Sequence, residues 1–365
     1  MFCWTKSSTP VSIDVVNRDG VSSFTNLDQL TLHEKYEHKW EEHGTAETPE
    51  LASAALQNVS MLAQLSTFDS LARNLPTGFF SNLRALELII YDVIYTLSYI
   101  HVADCERLQD LSLIFRFVKP SPPDRFLSIF LGGAGSLPLL TSFRLDIQSC
   151  SDRLEWEPPY TTIFDKFFQV LRNRPNIRRL SISPTPKLIS DVPDPASDPS
   201  TGSVVELLPT LPSLTVFSYA PGADDEGALS VATLGTLHRI LPPDITAFGI
   251  KTSSVEGLTP WNALVLCHTV LRRKSLRYLH IILGENEPET PDLTYVEQQL
   301  LDDPPPSLEL FGYGKRLRWR VREERPDAEP LWHWSPPWSE CKVAFLTEAD
   351  YGDADWYWIT KNWSI

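Results

Sequence analysis

The chain has 365 residues, 47 of them acidic and 32 basic, for a formal charge of -15. Apolar residues make up 42% and aromatics 11%, enough for a sizeable core, so wholesale disorder is excluded. The acidic balance argues against a general affinity for nucleic acid.

Residues 1–24 read as an N-terminal extension without the apolar stretch of a secretory signal. The segment HEKYEHKWEEH (33–43) places His33, His38 and His43 five residues apart. That step turns about 140° on a helix and misses the i, i+4 spacing of zinc helices, so an exposed loop is expected there. The most apolar window, 85–103, contains Glu87 and Asp92, and no run reaches the ~18 apolar residues of a membrane span. The five cysteines are scattered with no CxxC pair, which points to reduced thiols in the cytoplasm or nucleus.

One short pattern recurs from residue 27 onward: apolar, two spacers, apolar, one spacer, apolar. It runs through Leu27/Leu30/Leu32, Leu83/Leu86/Leu88, Leu108/Leu111/Leu113, Leu140/Phe143/Leu145 and Ile177/Leu180/Ile182. It continues through Leu214/Phe217/Tyr219, Ile245/Phe248/Ile250, Leu276/Leu279/Ile281 and Leu308/Phe311/Tyr313. The intervals are 56, 25, 32, 37, 37, 31, 31 and 32 residues, and the first is long enough to hide a degenerate unit. The last two apolar positions of each unit alternate with other residues, as in a short strand.

Between the strands lie helix-like stretches at 161–175, 227–243 and 261–274, with apolar residues at helical spacing. A single helix–strand unit cannot bury its own apolar face, but stacked units share a continuous core. The expected fold is therefore α/β: a solenoid over 25–325 with parallel strands on a concave face and helices behind. The Pro-, Ser- and Asp-rich stretch 183–203 reads as an exposed insertion.

Arginines recur at helix ends: Arg172, Arg174, Arg178 and Arg179, then Arg272, Arg273 and Arg277. There they offset the helix dipole and bond orphan carbonyls, or form a basic stripe for an acidic partner. The segment KRLRWRVREER (315–325) alternates as a strand, and Arg318 and Arg320 stacked with Trp319 are expected to form a functional patch. Seven of the eleven tryptophans follow residue 318, so residues 326–365 are expected to cap the solenoid, with an aromatic ligand groove as the alternative. Glu348, Asp350, Asp353 and Asp355 lack the alternation of a calcium loop. Gly132–Ser136 matches no phosphate-binding motif, and no nucleophile elbow is present. No enzyme activity, metal or cofactor is expected.

With its nine strand motifs and its Leu137-Pro138-Leu139-Leu140 and Leu211-Pro212-Ser213-Leu214 turns, the chain resembles the irregular leucine-rich-repeat proteins. It is most similar to the recognition domain of fungal F-box proteins, and the tryptophan-rich stretch 348–363 adds to that likeness. Two features depart from the pattern. The asparagine ladder is absent, its positions being held by Tyr91, Arg116, Gln148, Thr185, Gly222, Ser253 and Gly284. No F-box segment precedes the first repeat at Leu27, so a Skp1-type adaptor is not expected on sequence grounds.

The resemblance implies a non-enzymatic protein-interaction scaffold, such as the substrate-recognition part of a ubiquitin ligase. The alternative is a small-ligand or carbohydrate binder using the C-terminal tryptophans. The partner would lie on outward strand positions: Arg84, Glu87, Gln109, Ser112, Ser142, Arg144, Arg178, Ser181, Arg277 and His280, joined by Arg318, Trp319 and Arg320.

Overall fold

The structure is a computed structural model. It describes residues 2–4, 10–11, 29–33, 58–64, 83–90, 106–117, 137–149, 167–172, 174–185, 204–221, 231–252, 273–283, 297–298, 300–314, 316–325, 330–338 and 348–361. The glycine-rich turn at 132–136, the loop after His33, most of the 183–203 insertion and nearly all of the 261–274 helix lie outside these residues. The protein is mixed α/β and divides into two compact units, Met1–Asn176 and Ile177–Ile365.

The first unit holds β1 (Phe2–Trp4), β2 (Pro10–Val11), β3 (Gln29–His33), β4 (Asn58–Gln64), β5 (Leu83–Ile90), β6 (Asp110–Phe117) and β7 (Ser142–Ser149). β3 to β7 pair in parallel in chain order, and β1 pairs antiparallel with β2 and β3. β4 is the unit hidden in the long first interval. Val59 and Met61 stand in register with Leu30 and Leu32, so the apolar period survives without leucine.

The second unit holds β8 (Arg179–Thr185), α1 (Val204–Leu207), β9 (Val216–Pro221), α2 (Val231–Ile240), β10 (Ala247–Thr252), β11 (Tyr278–Leu283) and β12 (Leu310–Tyr313). It ends with β13 (Arg316–Glu323), β14 (Leu331–Trp334), α3 (Glu348–Tyr351) and α4 (Ala354–Lys361). β8 to β12 are parallel neighbours in chain order, and β13 and β14 continue the sheet antiparallel. β12 and β13 are joined across two residues, and Gly314 takes φ 54° there, as such a tight hairpin requires.

The repeat period becomes a hydrogen-bond ladder at the strand starts. At five strand starts the carbonyl one residue after the leading apolar residue accepts two backbone N–H groups from the next repeat. Thr215 and Val216 donate to Arg178, Thr246 and Ala247 to Thr215, Arg277 and Tyr278 to Thr246, and Glu309 and Leu310 to Arg277. In the first unit Thr141 and Ser142 donate likewise to Gln109. Side-chain hydroxyls add to it: Thr246 Oγ1 donates to Thr215, and Ser307 Oγ donates to Leu276 at 2.8 Å. The LPLL and LPSL sequences form closed turns, with Leu140 donating to Leu137 and Leu214 to Leu211. This ladder satisfies backbone groups at the strand starts that burial would leave costly.

Two of the expected helix-end arginines serve as struts between repeats. Arg174 Nη1 donates to the Leu137 carbonyl, and Arg273 Nη2 donates to the His238 carbonyl at 2.6 Å. Burial lowers the pKa of both guanidinium groups.

Gly312 is a tight point in the second unit. A Cβ there would lie 2.5 Å from His280 Cδ2 and 2.7 Å from Leu317 Cδ2. Gly312→Ala is therefore expected to destabilise the second unit by roughly 1–3 kcal/mol, since overpacking displaces well-fitted neighbours. Urea unfolding would check this, and a variant indistinguishable from wild type would contradict the close approach.

Candidate interaction face

Strands β9 to β12 of the second unit have two covered faces. The repeat residues Leu180, Phe217, Phe248, Leu279 and Phe311 are buried on one side. The alternate positions face the other way: Val216, Ser218 and Ala220 on β9, Ala247 and Gly249 on β10, Tyr278, His280 and Ile282 on β11, and Leu310 and Gly312 on β12. These are also buried, and the C-terminal segment covers them. Val216, Ala220, Ala247, Tyr278, Ile282, Leu310 and Leu317 form one apolar cluster with Tyr351, Trp356, Trp358 and Ile359. Trp319, Trp338 and Tyr357 pack against its rim. Small residues along the face leave room for a helix to approach the sheet closely.

Aspartates and arginines fasten the start of α4. Asp353 caps the helix, its Oδ1 accepting the Asp355 N–H at 2.8 Å. Its Oδ2 accepts from Arg277 Nη1 at 3.3 Å. Arg277 also donates through Nε and Nη2 to both oxygens of Glu309, at 2.8 and 2.9 Å, and its guanidinium lies 5.0 Å from the Trp356 ring centre. The Glu309 hydrogen bond is the main reason that its pKa is raised, against the opposing effect of burial. Arg179 Nε donates to Asp355 Oδ1 at 2.7 Å, and Arg178 approaches Asp355 Oδ2 at 4.0 Å.

A buried polar chain runs beneath the aromatic layer. His280 Nε2 lies 2.8 Å from the Gly314 carbonyl, which only accepts, so Nε2 carries the proton. His280 Nδ1 therefore accepts from the Tyr278 hydroxyl at 2.8 Å. The Thr360 hydroxyl of α4 lies 3.0 Å from the Tyr278 oxygen and 3.0 Å from the Trp356 carbonyl. Burial lowers the His280 pKa to about 4 and raises that of Tyr278 well above its usual value. Burial also raises Tyr351 to about 12.

The structure redistributes the residues expected to meet a partner. In the first unit, Arg84 and Gln109 are exposed and Glu87 is half-buried, whereas Ser112 and Ser142 are buried. Arg144 is only 8% exposed and donates to Asp146 at 3.0 Å. In the second unit, Arg178 is exposed and Arg277 half-buried, but Ser181 and His280 are buried. The outward reading is thus corrected at Ser112, Ser142, Arg144, Ser181 and His280, which are inside. For His280 the cause is the C-terminal aromatic layer above the strand.

The Arg318–Trp319–Arg320 patch is also corrected. Strand alternation puts Trp319 on the face with Trp356 and Trp338, at 5.1 and 5.8 Å between ring centres. Arg318 turns the other way and donates to Glu297 Oε1 at 3.1 Å. Arg320 lies over Trp332 and donates to the Pro305 and Pro306 carbonyls. Trp332 is 50% exposed, while Trp334 sits against Phe311 with its indole N–H on the Leu301 carbonyl. Trp356 and Trp358 are buried, so neither offers a ring platform to a sugar.

What sequence reasoning missed is the occupant of the strand face. A signal was present: YLHIIL (278–283) is apolar at nearly every position, as in a strand buried on both sides. Among the described residues no group of three or more His, Cys, Asp and Glu side chains is placed to hold a metal, and no helix is long and apolar enough to cross a membrane.

No family model matches the chain, and no curated protein matches it. Among solved structures, a Bacteroides fragilis protein determined by structural genomics is 13% identical with a TM-score of 0.36. That match covers 70% of this chain and 65% of the other, so the chain spans just under two thirds of that protein. A leucine-rich-repeat protein of Leptospira interrogans is 13% identical with a TM-score of 0.21, covering 72% of this chain and 67% of that one.

Proposed function

We propose that the chain is a non-enzymatic protein-interaction scaffold built from leucine-rich-repeat-like units, and that the strand face of its second unit recognises a helix. One observation carries this reading: that face already holds a helix, α4, through an aromatic cluster with arginine–aspartate pairs at the start of the helix. A surface that grips one amphipathic helix has the chemistry to grip another of like pattern. The reading extends the resemblance to the recognition part of F-box proteins and assigns no adaptor contact. The repeat units run over 25–325, and the tryptophan-rich segment 326–365 follows them.

The reading is tested by affinity capture with the full chain, comparing wild type with Arg84→Glu and Arg277→Glu. A specific protein partner depleted by Arg277→Glu and retained by Arg84→Glu, which lies in the first unit, supports it. Capture of no protein, together with a saturable sugar or small-molecule ligand, would favour the carbohydrate-binding alternative.

A further inference from the structure

The C-terminal segment has the features of a ligand attached to its own receptor. Its acidic end meets Arg277, Arg178 and Arg179 at the margin of the face, and the Arg178 and Arg277 side chains remain 57% and 43% exposed. Arg178–Asp355 at 4.0 Å and Arg277–Asp353 at 3.3 Å are long and solvent-screened, hence weak, whereas Arg179–Asp355 at 2.7 Å is more shielded, its side chains 23% and 15% exposed. Deeper in, α4 is held by Trp356, Trp358 and Ile359 in the apolar cluster, and its polar link there among the described residues is one hydroxyl pair, Thr360 to Tyr278. Between Val216 and Ala220, the Ser218 hydroxyl is buried with no hydrogen-bond partner among the described residues. A donor left unpaired there costs stability, and a different helix with a polar group at that point would recover it. The face therefore fits its resident helix well but not fully.

We infer that α3–α4 is a tethered ligand, and that the partner for this face is a protein helix of the same chemistry: aspartates at its cap and first turn, followed by a tryptophan pair and an isoleucine. In this chain the pattern reads Asp353, Asp355, Trp356, Trp358 and Ile359. A partner helix binds when the resident one lifts, so the chain's own segment sets the threshold for recognition. This inference rests on the scaffold reading and names the partner of the same site.

The probe is a fluorescent synthetic peptide with the sequence of residues 348–365, added to the full-length chain. Asp353→Asn with Asp355→Asn loosens the resident segment; asparagine at 353 keeps the helix cap. The peptide should bind that double variant about tenfold more tightly than wild type, because the competing resident helix is weakened. Adding Arg277→Glu should cut the binding at least about tenfold. Equal binding to wild type and double variant, or none to a folded double variant, overturns the inference.

Hydrogen exchange on the wild-type chain decides the matter even if the double variant unfolds. Amides of α4 should exchange faster than those of β11, through local opening. Equal protection would make α4 a permanent part of the core and overturn the inference. A dimer with exchanged C-terminal segments would assign the face to a second copy and also overturn it. If partner capture persists but does not respond to the double variant, the tethered-ligand inference fails while the scaffold reading stands.

Discussion

Trp356→Ala is expected to destabilise the second unit by about 3–5 kcal/mol, the range for removing a large buried ring. The side chain is 2% exposed and sits at the centre of the aromatic layer. Its ring lies 5.1 Å from that of Trp319 and 5.9 Å from that of Tyr278, with the Arg277 guanidinium above it. Truncation opens a cavity beneath α4, exposes Tyr278 and removes the cation–π contact. Arg277 keeps Glu309, so the loss falls on the docking of the helix rather than on the sheet. Chemical unfolding followed by tryptophan fluorescence measures the change, and Trp356→Phe should lose much less because it retains a ring against Trp319. A Trp356→Ala protein as stable as wild type would mean that the helix does not rest on the sheet.

Stability should also fall on acidification because of His280. In the folded chain its pKa is lowered to about 4 by burial, whereas in the unfolded chain it returns to about 6.5. Above pH ~6.5 both states hold a neutral ring and this contribution is flat. Below that, the unfolded state takes up a proton that the folded state refuses. Stability then falls by up to about 1.4 kcal/mol per pH unit until pH ~4, a total of about 3 kcal/mol. The groups facing the ring are the Tyr278 hydroxyl and the Gly314 carbonyl, and neither supplies a negative charge to stabilise an imidazolium. His280→Phe should lower stability at neutral pH, because it leaves those two groups without their bonds, yet it should flatten the slope between pH 6.5 and 4. Urea midpoints across that window give the answer. A wild-type slope no steeper than the variant's would contradict the assignment.

Much of the strand pattern was legible in the sequence. Each of the nine apolar triplets coincides with a strand, because two faces and a strict two-residue alternation leave a simple imprint. β4 was obscured by Val59 and Met61, which preserve the period in other apolar residues. The candidate face was harder to read. The sequence reading took alternate strand positions as facing solvent, which describes Arg84 and Gln109 but not His280 or Ser181. Whether such positions are covered depends on contacts far along the chain, and Tyr278 meets Thr360 across 82 residues. Sequence alternation does not encode such partners. The clustering of tryptophans late in the sequence suggests a cover for an exposed end, and Trp319, Trp338, Trp356 and Trp358 gather on the strand face. The helix-end arginines suggested a stripe for an acidic partner. The acidic residues that Arg178, Arg179 and Arg277 meet include Asp355 and Asp353 of this same chain.

α4 lies on the strand face of the second unit, held there by its aromatic side chains and its aspartates. A double-mutant cycle between Arg179→Ala and Asp355→Ala reports on this docking, because Arg179 and Asp355 are 176 residues apart in sequence and 2.7 Å apart in the structure. A coupling free energy of about 1 kcal/mol that shrinks with added salt is the predicted result. Strict additivity of the two substitutions would contradict the docking of α4 on this face.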